Sequence, residues 1–446
     1  MHRKVLFPVT AAAVAVAALA ALPVPSSADG PAPWMQQFGT QAPDDAEDVT
    51  VDSGGNVYVI GQTNGALPGQ ASVGMVDAYV RKYAAGGEEL WTRQFGSFDR
   101  DFARGVAVDG QGDVYVVGQT FGTLPGQQSA GGFDAFVRKY DAAGAEIWTR
   151  QFGSSGGEGA NSVAVDGAGN VFVVGSSRAT MPGQVSAGEY DPYLRKYDST
   201  GAELWTRQFG SLDDDFAVDV AVDAAGESVV VGQTSGTFPG QTPAGQLDGF
   251  IRRYDASGGS LWTHQFGSAA DDRALSVTLD GAGDSYVVGS TNGSLTSGVS
   301  SGLSDAFLRK YDRFGGDVWQ RQFGTAGADD AASVAVDGSG SIFTVGRTTG
   351  TFPGQRSAGD FDAYIRKLNA TGAEQWTRQF GTSEGDYSLA VALDGAGVAH
   401  AVGGTLGVLT GQETAGRRDA FVLRLGTPAS AAPRPPEESR PRLWPL

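Results

Sequence analysis

Seven acids recur at one phase of this chain: Asp44, Asp101, Glu158, Asp215, Asp272, Asp329 and Asp386, spaced 57 residues apart. Seven carboxylates drawn into a ring would make a concentrated negative potential, and hard cations such as calcium prefer clustered carboxylate oxygens. These acids are therefore the candidate ligand-binding or cation-binding residues, and calcium is the cofactor they could hold; no other cofactor is evident. A second role needs no ion, because each acid could cap its own loop by accepting bonds from backbone amides. Capping is the plainer expectation, since a calcium loop spaces several ligands locally. Extra acids in some copies, such as Asp213, Asp214 and Asp330, keep the cation in play.

Other recurrent positions suggest structure rather than chemistry. Asp77, Asp134, Asp191, Asp248, Asp305, Asp362 and Asp419 each begin a strand, and an arginine follows four residues later in every copy but the last, where Leu423 stands. Even spacing puts the two on one strand face. Asp52, Asp109, Asp166, Asp223, Asp280, Asp337 and Asp394 open tight turns as Asx residues. Lys139 is expected to face Glu146 across a hairpin, a pair worth roughly 0.2–1 kcal/mol. Catalysis would call for departures from the repeat. His264 and His400 are two, with no serine or cysteine partner evident, and a third is the altered loop 295–302. Paired carboxylates for glycoside cleavage are possible wherever acids abound. No phosphate loop, nucleophile elbow or zinc pattern is present.

The elements that position these residues follow from a strict period. Trp34, Trp91, Trp148, Trp205, Trp262, Trp319 and Trp376 also stand 57 apart, without insertion or deletion. A repeat of this length holding several short strand patterns signals a propeller or solenoid. In the second copy the expected strands are 106–109, 114–120, 136–140 and 147–152, the second of them β-branched and aromatic enough to be buried on both faces. Asp109–Gly112 and Asp141–Gly144 are tight hairpin turns. The loop 121–133 and the link 96–104 are long. Alternate connections of an up-and-down sheet share a side, so both long loops lie on one face of the disc and both tight turns on the other. The motif ending Gln-Phe-Gly occurs seven times from Trp34 to Gly381, and the three-strand block seven times from Asp48 to Leu425. The first strand thus lacks a block before it and the last block lacks a fourth strand. The expected fold is an all-β, seven-bladed propeller of four-stranded antiparallel blades, closed by the N-terminal strand completing the last blade.

The runs Ala-Val-Asp-Gly-x-Gly-x-Val-Tyr-Val-Val-Gly, Asp-Ala-Phe-Val-Arg-Lys-Tyr-Asp and Trp-Thr-Arg-Gln-Phe-Gly resemble the bacterial seven-bladed β-propeller (SBBP) repeat family. The resemblance spans roughly residues 34–425. It implies an exported propeller and no common activity.

Composition bounds the remainder. Residues 1–28 read as a secretory signal peptide: His2, Arg3 and Lys4, an apolar run to Leu22, then small residues. The propeller is expected over 29–426 and a proline-rich disordered tail over 427–446. No other run is long enough to span a bilayer. Cysteine is absent, which excludes disulfides and thiol chemistry. Against 50 acidic residues there are 32 basic ones, a net of −18; losing Arg3 and Lys4 with the leader leaves 30 basic residues and a net of −20. Such a surface repels phosphate backbones, so nucleic acid is not an expected partner. The expectation is a secreted, extracellular or cell-surface monomer, a non-enzymatic scaffold binding a glycan or protein on its long-loop face. The alternative is a secreted carbohydrate-active lyase or hydrolase with carboxylates at the channel mouth, His400 among its candidate residues.

Overall fold

The computed structural model describes residues 32–295 and 301–426. Within them 28 strands form seven four-stranded antiparallel sheets. Blade 1 runs through Asp44–Val51, Val57–Thr63, Asp77–Tyr83 and Glu89–Phe95, and the next five blades repeat it. Blade 7 takes three strands from the C-terminal repeat, Asp386–Leu393, Ala399–Thr405 and Asp419–Arg424. Its fourth is Trp34–Phe38, in register Trp34 with Arg424 and Phe38 with Ala420. The first strands of successive blades touch around a closed ring, blade 1 meeting both blade 2 and blade 7. Closure by the N-terminal strand is therefore observed.

The sequence explains where the core lies. Second strands such as Val114–Thr120 are buried along nearly their whole length, because both faces of each sheet pack on a neighbouring blade. One cluster joins Tyr58, Ile60 and Val80 of blade 1 to Ala103, Val114 and Phe136 of blade 2, and the others bridge later seams alike. The third-strand arginines work across the same seams. Arg138 donates to Thr149 Oγ1 (2.8 Å), and its guanidinium lies 4.3 Å from the Phe95 ring of the preceding blade. The recurrent Asp and Arg of the third strand are thus not partners of each other.

The turns follow the expected chemistry. Asp109 accepts from the amides of Gln111 and Asp113, and Gly112 has φ of 85°, which a glycine adopts without strain. One expected pair does not form. Lys139 turns away from Glu146 to Asp113 (2.8 Å), while Glu146 meets Thr149 and Arg138. A bulge after Lys139 pairs Tyr140 with Glu146, which moves the glutamate to the strand face that Arg138 shares with Tyr140.

The innermost strand is also longer than expected. It runs Asp101–Val108 in blade 2 rather than starting at Val106, so the recurrent acid is its first residue and not part of the preceding loop. A bulge between Ala103 and Gly105 interrupts its alternation. The bulged backbone closes on the second strand: a Cβ at Gly118 would lie 1.8 Å from the Phe102 carbonyl oxygen, so only glycine fits there.

Candidate functional site

The seven recurrent acids do not share one site. Each folds back on its own loop. Asp101 Oδ2 accepts the Ser97 amide (2.6 Å) and the Ser97 hydroxyl (3.0 Å), and Thr40, Ser211, Ser268, Thr325 and Thr382 serve Asp44, Asp215, Asp272, Asp329 and Asp386 in the same way. The longer Glu158 takes the Ser154 amide and the hydroxyl of Ser177. All seven are buried. Burial raises the acids of Asp44, Asp101, Asp215, Asp272 and Asp386 above the usual carboxylate range, partly offset by a threonine hydroxyl of the neighbouring strand.

Each is paired with the third-strand acid of the blade before. Asp77 accepts the amides of Val73 and Gly74 and the side chain of Gln94, and it adds to the upward shift of Asp101. Gly96 sits between the two carboxylates. The arrangement latches two loops and a strand end at every seam. Among the described residues no three acid, His or Cys side chains cluster so as to hold a metal ion.

The channel carries a different set of residues. At the bulge of successive first strands stand Asp48, Gly105, Ser162, Asp219, Ser276, Ser333 and Ala390. Asp48 Oδ2 accepts the Val106 amide of blade 2 (2.8 Å), and Asp219 Oδ2 accepts the Val277 amide of blade 5 (2.8 Å). Ser162 donates to Asp219 Oδ1 (2.6 Å). These bonds tie inner strands together around the axis. Burial pushes Asp48 up to about 7 against two backbone bonds that favour its charge, and the charges of Asp219 and Glu47 add to the shift. Asp219 belongs to blade 4, three blades round the ring, so the two acids face each other over the channel.

At the long-loop mouth of that channel the repeat breaks. The second residues of the seven first strands are Asp45, Phe102, Gly159, Phe216, Arg273, Asp330 and Tyr387. Asp45 meets Arg418 (2.9 Å), Gln62 and the Tyr387 hydroxyl, and Glu47 meets Arg104 (2.9 Å). Asp330 pairs with Arg347 (2.8 Å). Phe121 stacks on Phe133 (centroids 5.2 Å apart) and packs against Phe102, with Arg100 and Arg104 over the rings. Tyr190 leans on Phe216 (5.2 Å) beneath Arg178, and Phe361 stacks on Tyr387. Side chains differ from blade to blade here while the backbone does not. A sevenfold scaffold with a mouth of this kind can recognise a ligand that lacks sevenfold symmetry.

The remaining sequence candidates lie elsewhere. His400 is fully buried beside Asp394 (3.5 Å), an acid of a tight turn, and burial lowers it to about 4. It therefore stands at the blade end opposite the long-loop mouth, as a neutral core residue. His264 stacks on Tyr311 and Trp262 at the outer strand of blade 4. Of the altered loop in the fifth copy, residues 296–300 lie outside the described residues, as do residues 1–28, where a signal peptide is expected, and 427–446, where a tail is expected. The sequence singles out Asp330 of the mouth ring and neither of the channel acids Asp48 and Asp219. Their signal was available: writing out the seven residues at one phase exposes columns that are polar or mixed where a strand should be apolar.

Fold and mouth together define a seven-bladed β-propeller, velcro-closed, with a channel mouth individual to each blade. Residues 34–68, 90–124, 147–180, 261–295 and 318–353 match the SBBP family, described as Beta-propeller repeat, and the chain belongs to that family. It is similar to the regulatory protein FlaEY of Caulobacter vibrioides, at 27% identity over 408 residues, covering 78% of this chain and 42% of that protein. The chain thus spans less than half the length of that relative. Among solved structures it is similar to the polysaccharide lyase Uly1 (9% identity, 88% of this chain and 99% of that chain, TM-score 0.51). It is also similar to the WD40 domain of Neurospora crassa Pan2 (11% identity, 89% and 96%, TM-score 0.48). At such identities the likeness is one of fold alone.

Proposed function

We propose that the chain is an exported, non-enzymatic binding propeller that takes a glycan or protein ligand at the long-loop mouth of its channel. One observation carries this reading: variation between blades gathers in the mouth ring, where half-exposed aromatic faces and paired charges replace one another, while caps, turns and seams repeat. Aromatic side chains offer large contact area at low entropic cost, and loops on a rigid scaffold are where binding residues gather. The leader pattern of residues 1–28 supports export.

The test is a glycan array together with capture of proteins from culture supernatant. Saturable binding that is lost in a Phe102→Ala, Phe216→Ala double variant of unchanged melting temperature supports the reading. Binding that survives both substitutions removes the mouth as the site.

A second reading, carbohydrate cleavage, is favoured by Asp48, whose acid is held near 7 and could donate a proton. Against it, both oxygens of Asp48 are engaged by backbone amides. Turnover of a polysaccharide that stops in Asp48→Asn would make it the better account.

A further inference from the structure

We propose that the ligand is an acidic glycan, a chain bearing uronate carboxylates, seated over blade 3 at the long-loop mouth; the inference rests on the binding role proposed above. Blades 2, 4 and 7 place Phe102, Phe216 and Tyr387 in the mouth ring, but blade 3 has Gly159. The opening is flanked on both sides by rings under arginines. On the blade 2 side Phe121 lies stacked on Phe133, 38% exposed, with the Arg100 guanidinium 5.9 Å from its centroid. On the blade 4 side Arg178 lies 5.7 Å from the Tyr190 centroid.

Arg100 and Arg178 are exposed, and neither makes an ion pair or side-chain hydrogen bond among the described residues. The nearby acids Asp99 and Glu189 do not engage them. A planar guanidinium held on an aromatic face is ready for a carboxylate fork. Between the flanks the floor is polar. The Gln119 amide oxygen lies 2.8 Å from where a Gly159 Cβ would stand. An amide oxygen accepts, and a sugar hydroxyl can donate to it.

Pyranose rings meet these demands together: apolar C–H groups against the exposed edge of Phe121, a hydroxyl for Gln119, and carboxylates for the two arginines. An acidic peptide would also meet the arginines, but a run of glutamates has no hydroxyl to donate to Gln119. The free edges of these blades, to which a peptide strand could add, lie at the outer rim.

The experiment is calorimetric titration of the folded chain with hexagalacturonate, cellohexaose and hexaglutamate at low salt. Hexagalacturonate is expected to bind saturably, with at least tenfold weaker binding in Arg100→Ala, Arg178→Ala and in Phe121→Ala, all melting as the parent does. Cellohexaose and hexaglutamate are expected to bind at least tenfold more weakly than hexagalacturonate. Equal binding by hexaglutamate, equal binding by the double arginine variant, or no binding of hexagalacturonate would overturn the proposal. A different ligand lost in Phe102→Ala, Phe216→Ala but kept without the two arginines would leave the mouth as a binding site and remove only the acidic-glycan assignment.

Discussion

Replacing Asp48 with Asn should make the propeller less sensitive to pH between 5 and 8, and the structure gives the sign and size. The acid of Asp48 is raised from 3.8 to about 7 by burial in the channel, with Asp219 and Glu47 adding to the shift. A raised acid means that the folded state holds a proton the unfolded chain has released. The stability it contributes is complete below about pH 4 and is lost as pH rises through 7. Between pH 5 and 7 the slope is about 1.4 kcal/mol per pH unit, which gives about 2.7 kcal/mol for a fully dry site. Asp48 is half-buried, and discounting for that exposure leaves about 2 kcal/mol. Over roughly 390 residues that loss corresponds to about 2–3 °C of melting temperature. Asn cannot ionise and keeps one acceptor oxygen for the Val106 amide; the bond lost at the Val49 amide is a cost independent of pH and cancels between the two pH values. The assay is thermal unfolding of parent and Asp48→Asn at pH 5 and pH 8. Comparing the two proteins cancels the buried acids that do not interact with Asp48, and the variant should gain about 2–3 °C on the parent between the two pH values. An identical pH dependence in both proteins would refute the buried, proton-holding account of this channel.

Further outcomes follow from the same geometry. Gly96→Ala brings a Cβ within 2.6 Å of Asp101 Oδ2 and 2.9 Å of Asp77 Oδ1, and should cost about 1–3 kcal/mol in urea unfolding. Gly110→Ala, with nothing within 4 Å, is the near-neutral control. Deleting 29–39 leaves blade 7 with three strands and an open edge; differential scanning calorimetry and light scattering should show a sharp fall in melting temperature and self-association. Because each recurrent acid is latched to its own loop, millimolar calcium and sodium of equal ionic strength should give the same melting temperature, and a higher one in calcium would reinstate the cation site.

What could be seen in the sequence depended on whether a position repeats. Val114–Thr120 lies where its β-branched run placed it, because a strand buried on both faces must be apolar throughout. Closure was legible from counting, since seven fourth strands and seven three-strand blocks out of step leave Trp34–Phe38 one place to go. The first five residues of Asp101–Val108 were hidden. Its channel-facing places carry Gly105, Asp48 or Ser162 rather than hydrophobes, and the bulge breaks the alternation that marks a strand. A second bulge, after Lys139, misdirected the pairing with Glu146. The mouth ring is hard to see for the opposite reason: departures such as His400 are conspicuous singly, whereas the informative ones are spread over one column of seven residues. Burial then made His400 a core residue rather than a catalytic one.

The central claim, that the long-loop mouth is where a ligand sits, is tested most directly by a hydrogen-exchange footprint with and without a saturating ligand captured from the array. The account predicts slowed exchange in residues 98–104, 156–161 and 212–218, with none in the tight turns 109–112 and 337–340. Protection confined to those turns, or to the outer strands, would contradict it.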